Sequence, residues 1–244
     1  MNNLLKIIIG ITVLFFSLTF MNNASALDVV FSEDRPDLRT LDPRITQSRH
    51  EEMLIVNMFD QLIAADASGN MYPGLAKSWE VSSDGLHYTF NLRDDVTFHD
   101  GTKFNAAAVK ATFDSIVDPE TGSQGAVDIL GPYASSDVVD EYTVRVNYNR
   151  RYGSALTAFT ETELSIVSPT ALNDLGNEGF GMAPIGTGPF MFKSWEANKK
   201  VEMVKNPDYN WAPEYMDGSG PSKVDNLTYR LIKDTSTRVA ALES

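Results

Sequence analysis

The spacing of apolar residues switches between two periods along the chain, and this switching restricts the fold to one that combines strands and helices. Over residues 86–92 apolar and polar side chains alternate, as in a strand with one buried face. The turn sequence at residues 82–85 makes residues 77–93 a predicted hairpin. Asn105 then stands where an N-cap belongs, ahead of a helical apolar stripe that ends at Val117. The pattern predicts the α/β class.

Other segments follow the same two periods. Residues 51–62 have helical spacing, and a short helix is predicted to begin at Ser168 and to end at Gly176. Further strands are predicted over residues 142–148, 190–195, 200–205 and 227–232. A last helical pattern, over residues 234–242, reaches the end of the sequence without a stop signal. We therefore expect the natural chain to continue beyond Ser244.

Residues 1–26 have the organisation of a signal peptide. Lys6 precedes an apolar run over residues 7–20, and residues 24–26 form the small-residue pattern that signal peptidase cuts. The run is shorter than the roughly 20 residues that a membrane-spanning helix needs. We expect cleavage after Ala26 and export to the periplasm.

Cysteine content and net charge exclude several classes of protein. The sequence contains no cysteine, so neither a lipid-modified cysteine nor a disulfide framework is possible, and stability must come from a packed core. The net charge of −13 repels nucleic acid phosphates and anionic lipids. We expect neither of these as a partner.

A glycine- and proline-rich loop at residues 184–190 invites comparison with nucleotide-binding loops. Thr187 and Gly188 occupy the positions where a P-loop requires lysine and then serine or threonine. Pro184 stands where a dinucleotide-binding fingerprint has its third glycine. The loop is interpreted instead as an architectural crossing near a ligand cleft, made possible by the backbone angles and close approach that glycine permits, with direct ligand contact as the alternative.

The sequence specifies no catalytic or metal site. The histidines His50, His87 and His99 have no partner at metal-ligand spacing, so no metal and no cofactor are expected. His99 and Asp100 lie in a turn, where both side chains are expected to cap backbone amides. There is no nucleophile elbow and no thiol. A secreted hydrolase that uses an unrecognised carboxylate pair remains the alternative from another functional class.

Six motifs occur in a fixed order along the chain. They lie at residues 73–80, 83–93, 96–104, 186–190, 205–209 and 234–242. In this order they resemble the signature of the family 5 extracellular solute-binding proteins of ABC importers, which include dipeptide-, oligopeptide- and nickel-binding proteins. Two positions depart from that signature, since Lys205 replaces the usual arginine and Phe190 the usual tyrosine. The resemblance extends from Leu41 to Ser244.

The resemblance implies a periplasmic-binding-protein-like, two-lobed α/β fold of type II with an extra domain. It implies that residues 27–59 and 177–244 form an incomplete first lobe, that residues 60–176 form the extra domain, and that a C-terminal lobe is missing. A protein of this family closes on its ligand by a hinge and delivers it to membrane permease subunits. The resemblance implies a monomer that is not an enzyme.

The family resemblance leads to a predicted ligand and a predicted set of contact residues. A di- or oligopeptide is the leading ligand, whereas nickel, a sugar or an opine are alternatives, nickel being disfavoured by the unpaired histidines. Binding proteins enclose ligands with apolar and aromatic side chains and few polar anchors. The predicted ligand-binding residues are Met58 and Phe59 near the end of the first helix, Thr187 and Gly188 in the glycine-rich loop, and Trp211.

Overall fold

The computed structural model describes residues 27–33, 38–216, 218 and 220–242. The predicted signal peptide, residues 1–26, lies outside the described residues. Within the described ranges, no helix has both the length and the apolar character needed to cross a membrane.

The described residues form ten strands, six α-helices and two short 3₁₀ helices. The strands are β1 (Asp28–Glu33), β2 (Ile63–Ala65), β3 (Met71–Pro73), β4 (Ala76–Val81), β5 (His87–Leu92), β6 (Tyr133–Asp140), β7 (Thr143–Tyr148), β8 (Phe190–Glu196), β9 (Lys200–Lys205) and β10 (Asn226–Leu231). The helices are α1 (Arg49–Ile55), α2 (Ala106–Val117), α3 (Gly125–Leu130), α4 (Ala155–Ala158), α5 (Pro169–Met182) and α6 (Thr235–Leu242). The 3₁₀ helices are Pro119–Thr121 and Thr162–Leu164.

The strands assemble into two four-stranded sheets and one two-stranded ribbon. The antiparallel sheet has the order β4-β5-β7-β6 and is drawn from the middle of the chain. The mixed sheet has the order β1-β10-β9-β8, in which β1 and β10 are parallel and the other pairs antiparallel. Strands β2 and β3 form the ribbon. The predicted hairpin is confirmed as β4 and β5, and the predicted later strands correspond to β7, β8, β9 and β10.

Two clusters of buried apolar side chains accompany the two sheets. The cluster at the antiparallel sheet includes Phe90 and Phe113, and the cluster at the mixed sheet includes Leu54 and Met203. The predicted division into a first lobe and an extra domain stays a prediction. Trp211, which that division assigns to the first lobe, packs in the cluster of the antiparallel sheet.

Two helix caps follow the sequence pattern. The Asn105 side chain accepts a hydrogen bond from the backbone N–H of Ala108 at 3.1 Å and starts α2 as predicted. The Ser168 side chain accepts from the N–H of Ala171 at 3.2 Å, with Pro169 at the first helical position. Val117, predicted to lie on the apolar stripe of α2, is instead exposed at its last position.

The first helix is shorter than predicted. The pattern over residues 51–62 indicated a helix, but α1 ends at Ile55 and the chain then turns. The Asn57 side chain donates to the carbonyls of Met53 and Leu54 at 2.7 and 3.3 Å. In a continuing helix the Met53 carbonyl would accept the backbone N–H of Asn57, so the side chain competes with the helix. The apolar residues beyond Asn57 are buried by a turn rather than by a helical face.

The helix that begins at Ser168 was predicted to end at Gly176. The backbone does leave the helical conformation there, with φ of 68° and ψ of 175° at Gly176, but a second helical segment follows and runs to Met182. Glycine adopts a positive φ without steric cost, so it permits the kink between the two segments. The prediction found the end of the first segment and missed the second.

Candidate functional site

A cavity of about 370 Å³ opens beside the turn that follows α1. Its lining includes Val56, Phe59, Asp60, Trp211, Tyr215 and Met216. Its volume falls within the range of about 300 to 1,000 Å³ that is common for small-molecule sites, and such sites combine apolar walls with few polar groups. We take this cavity as the candidate functional site.

Asp60 connects three segments that are distant in the sequence. Thr187 Oγ1 and Trp211 Nε1 donate to Asp60 Oδ2 at 2.8 and 3.0 Å, and the Tyr209 hydroxyl donates to Oδ1 at 3.2 Å. The carboxylate thus joins the turn after α1 to the glycine-rich loop and to the segment after β9. Tyr209 and Trp211 are also in contact, with ring centroids 4.9 Å apart.

The electrostatic environment of Asp60 is unusual for a carboxylate. It is the one charged side chain among the described residues that line the cavity. Removal from water raises the pKa of the Asp60 carboxyl above its usual range, while the hydrogen bonds from Thr187, Trp211 and Tyr209 oppose that rise. Arg93, whose charge also favours the ionised form, makes its close ion pair elsewhere, with Asp95 at 2.6 Å.

The glycine-rich loop packs directly on the backbone of the turn after α1. A Cβ atom at Gly186 would lie 2.2 Å from the Met58 carbonyl oxygen, and one at Gly188 would lie 2.6 Å from the backbone nitrogen of Phe59. The backbone N–H of Gly188 donates to that same Met58 carbonyl at 2.9 Å. Neither glycine has a positive φ, so close approach, and not an unusual backbone angle, requires glycine at these positions.

A family match identifies the kind of protein. Residues 70–244 match the family described as bacterial extracellular solute-binding proteins, family 5 middle. The chain belongs to this family. Its members are solute-binding proteins and not enzymes.

Individual relatives of this family 5 protein agree with the match. The glutathione-binding protein GsiB of Escherichia coli (strain K12) is 31% identical over 220 residues, which is 90% of this chain and 41% of that protein. The chain therefore spans about two fifths of the length of the curated relatives that it matches.

Solved structures give the same fold. The binding protein MoaA of A. tumefaciens R10, in complex with mannopinic acid, aligns with a TM-score of 0.79 and 26% identity over 90% of this chain and 43% of that one. The periplasmic binding protein DppA of Helicobacter pylori, in complex with the peptide STSA, aligns with a TM-score of 0.74 and 27% identity over 89% of this chain and 45% of that one. The predicted periplasmic-binding-protein fold is confirmed.

The residues predicted to contact a ligand are near each other but have different positions relative to the cavity. Phe59 and Trp211 line it. Thr187 is fully buried and reaches the cavity through its hydrogen bond to Asp60. Gly188 lies behind the wall against Met58, whose side chain is buried in the cluster of the mixed sheet. Met58 lies in the turn after α1 and Phe59 directly follows it, so neither residue is at the end of a helix.

Sequence reasoning missed Asp60, Tyr209 and Tyr215 as cavity residues. Asp60 follows the apolar run of the turn without any motif around it, so no local signal marks it. Tyr209 belongs to a segment that matched the family signature, but the spacing gives no indication that its hydroxyl reaches residue 60.

The pair His99 and Asp100 differs in part from expectation. Asp100 Oδ1 accepts from the backbone N–H of Thr102 at 2.9 Å, which confirms the predicted capping. His99 does not cap an amide with its ring, because its Nε2 lies 2.9 Å from the carbonyl oxygen of Gly188 and donates to it. Burial lowers the pKa of His99 to about 4, so the ring is neutral near pH 7. In the described part of the chain, no three potential metal ligands lie together.

Proposed function

We propose that this chain is part of the substrate-binding component of an ABC importer that captures peptides in the periplasm and delivers them to the permease subunits. The observation that carries the proposal is the family match over residues 70–244. The alignment of 89% of the chain with a binding protein in complex with a peptide supports a peptide ligand. Export by the predicted signal peptide and action as a monomer belong to the same proposal.

The chemistry of the cavity supports a small organic ligand. Phe59 and Trp211 supply apolar surface, and Tyr215 and Met216 lie at more exposed positions, where they can cover a ligand. Thr187 and Gly188 act from behind the wall by fixing Asp60 and the turn after α1. We propose that the predicted ligand-binding residues serve the ligand in these two ways.

An opine is the second candidate ligand. The structure of the mannopinic acid complex aligns with the higher TM-score of the two reported above, 0.79 against 0.74. A cavity with apolar walls and a single carboxylate accommodates either class, so the choice between them rests on measured binding.

The test is a thermal melt and a calorimetric titration of the purified chain with glutathione, di- to tetrapeptides, mannopinic acid, a sugar panel and nickel. A ligand present at about one hundred times its dissociation constant stabilises the protein by about 2.7 kcal/mol. We expect peptides to raise the melting temperature. A shift with mannopinic acid alone favours the opine candidate, and the absence of any shift contradicts both. Release of product from a bound peptide would instead support the hydrolase alternative.

A matched pair of variants tests whether this cavity is the site. Met216→Ser changes an apolar side chain at the cavity that is 51% exposed, and Val139→Ser changes one on β6 that is 56% exposed. Both substitutions remove exposed apolar surface, so both are expected to leave stability nearly unchanged. Only Met216→Ser should weaken binding. Equal affinities in the two variants would place the ligand elsewhere.

A further inference from the structure

The glycine-rich loop is held from two sides by hydrogen bonds. One side is the turn after α1, which accepts the Gly188 N–H at 2.9 Å. The other side is the turn at residues 98–101, where both donors to the loop belong to His99. Its backbone N–H donates to the Gly186 carbonyl and its ring Nε2 donates to the Gly188 carbonyl, both at 2.9 Å. The position of the loop therefore depends on His99 as well as on the turn after α1.

The position of the loop in turn affects the carboxylate in the cavity. Thr187 lies between the two glycines and donates to Asp60 Oδ2 at 2.8 Å, beside the 3.0 Å bond from Trp211 Nε1 to the same oxygen. A loop that moves away from the turn takes Thr187 with it, so Asp60 loses one of these two donors. His99 is not among the described residues that line the cavity, so it acts on the cavity through the loop.

The surroundings of the His99 ring make it sensitive to a proton. Because a carbonyl oxygen only accepts, Nε2 carries the hydrogen of the neutral ring, and Nδ1 is left with a lone pair. Nδ1 is buried and has no hydrogen-bond partner in the described part of the chain. Protonation would add a positive charge and a second donor at this buried position, which is unfavourable. Burial accordingly lowers the pKa of the His99 ring to about 4.

The groups around the ring do little to offset this cost. Asp100 is the one charged group among the described residues whose charge acts on His99, and it favours the protonated form. The loop at residues 184–190 has no ionisable side chain. Ser168, which donates to Asp100 Oδ2, and Asn206, whose Nδ2 donates to the same loop carbonyl as the ring, are both neutral. The effect of burial therefore exceeds that of Asp100.

We propose that His99 is a positioning residue for the cavity, whose neutral ring holds the glycine-rich loop on the turn after α1 and whose protonation in acid releases the loop. The inference rests on the proposed function only in taking this cavity as the ligand site. It gives a function to a buried nitrogen that the described residues leave unpaired.

Hydrogen exchange of the purified chain, followed by NMR, tests the release. The reporters are the backbone N–H groups of Gly188 and Phe190, which donate to the turn after α1, and the indole N–H of Trp211, which donates to Asp60. The released ring binds a proton more readily, with a pKa of 6.5 against about 4, so release becomes about 20-fold more favourable between pH 7 and pH 5. We expect the protection of all three reporters, corrected for intrinsic exchange, to fall by about this factor.

Two outcomes of this measurement would overturn the inference. Protection that is the same at both pH values means that the ring does not control the loop. A fall at Gly188 and Phe190 without a fall at Trp211 means that release of the loop does not reach the cavity.

The amides of β5 and β7 show whether the release is local. If the three reporters open at a lower free energy than these amides, the loop is released while the antiparallel sheet stays folded. Equal opening free energies would mean that His99 acts only through global unfolding, which contradicts a positioning role.

Two variants separate the effect of the proton from that of the hydrogen bond. His99→Gln places an amide nitrogen near the position of Nε2 and does not titrate, so it should keep the protection at pH 7 and lose the change with pH. The side chain of His99→Asn is too short to reach the Gly188 carbonyl, so its loop should be less protected at both pH values. Circular dichroism checks that both variants fold. If His99→Asn does not, the comparison of wild type with His99→Gln decides, and an equal fall of protection in both would refute the role of the proton.

A peptide titration separates this inference from the proposed function. The probe is the peptide STSA, the ligand in one of the aligned structures, at pH 7. We expect His99→Asn to bind it about tenfold more weakly than the wild type, and the conservative His99→Gln to restore most of the affinity. Equal affinities of His99→Asn and the wild type would contradict the positioning role. If STSA binds to none of the three proteins, the peptide ligand of the proposed function is contradicted, whereas the exchange measurements still test His99.

Discussion

Replacing Gly188 by alanine should disrupt the contact between the glycine-rich loop and the turn after α1. The new Cβ would lie 2.5 Å from the carbonyl carbon of Met58 and 2.6 Å from the nitrogen of Phe59, both backbone atoms that no rotamer change can move away. The loop would have to move away from the turn, and three hydrogen bonds depend on its present position. They are the bond from Gly188 N–H to Met58 at 2.9 Å and the bonds to the Gly188 carbonyl from His99 at 2.9 Å and Asn206 at 3.1 Å.

The magnitude follows from these contacts. Overpacking typically costs about 1 to 3 kcal/mol, and each lost hydrogen bond costs about 1 kcal/mol net. We expect Gly188→Ala to lower the free energy of unfolding by about 4 to 6 kcal/mol, a large part of the roughly 5 to 15 kcal/mol available to a folded domain. Urea unfolding followed by tryptophan fluorescence and circular dichroism measures this loss directly.

Gly153→Ala is the matched control. A Cβ at Gly153 meets no atom within 4 Å, and its φ is not positive, so this substitution should change the free energy of unfolding by about 0.5 kcal/mol or less. If Gly188→Ala unfolds at the same urea concentration as Gly153→Ala and loses only ligand affinity, the loop is a ligand contact and the architectural interpretation is wrong.

Three further predictions concern other parts of the fold. Arg44→Met leaves the fully buried Asp42 without its 2.6 Å ion pair and should lower the free energy of unfolding by about 3 to 5 kcal/mol. Arg49→Met, at a side chain that is 88% exposed, should lower it by under about 1 kcal/mol. Denaturation of both variants checks this difference. Asn105→Ala removes the N-cap of α2 and should lower the free energy of unfolding by about 1 kcal/mol. Asn105→Asp keeps a capping oxygen, so in the same assay it should retain most of the wild-type stability. For His99, folding lowers the pKa from 6.5 to about 4, so its stabilising contribution is lost as the pH falls from 6.5 towards 4. Between pH 7 and 5 the wild type should lose about 2 kcal/mol relative to His99→Gln, which keeps a donor but does not titrate, and parallel stability curves would contradict this.

The parts of the fold that sequence predicts are those whose causes are local. The alternation in β5 and the cap at Asn105 depend on neighbouring residues, so the pattern contains the information needed. The end of α1 was mispredicted because the Asn57 side chain takes the Met53 carbonyl, a competition that apolar spacing does not reveal. Strand β6, eight residues long, was missed for a different reason, because its alternation is weak and its pairing with β7 fixes it.

The candidate site could be predicted only in part. Phe59 and Trp211 were selected by residue type, which favours aromatic side chains for ligand sites. Asp60 could not be found in this way, because its role depends on Thr187 and on Tyr209, which lie 127 and 149 positions further along the chain. Only folding brings these side chains together.

Packing alone does not explain why residue 60 is a carboxylate. A partly buried carboxylate adds little to the stability of a fold, because the loss of hydration offsets what its hydrogen bonds contribute. A neutral acceptor at residue 60 could receive the bonds from Thr187 and Trp211 without that loss. The hydrogen bonds from Thr187, Trp211 and Tyr209 and the charge of Arg93 all favour the ionised form of Asp60, so the carboxylate is held by the three segments that it joins. On this view the loop at residues 186–188 has two separable functions, in which Gly188 secures the backbone of the turn and Thr187 orients the charged group.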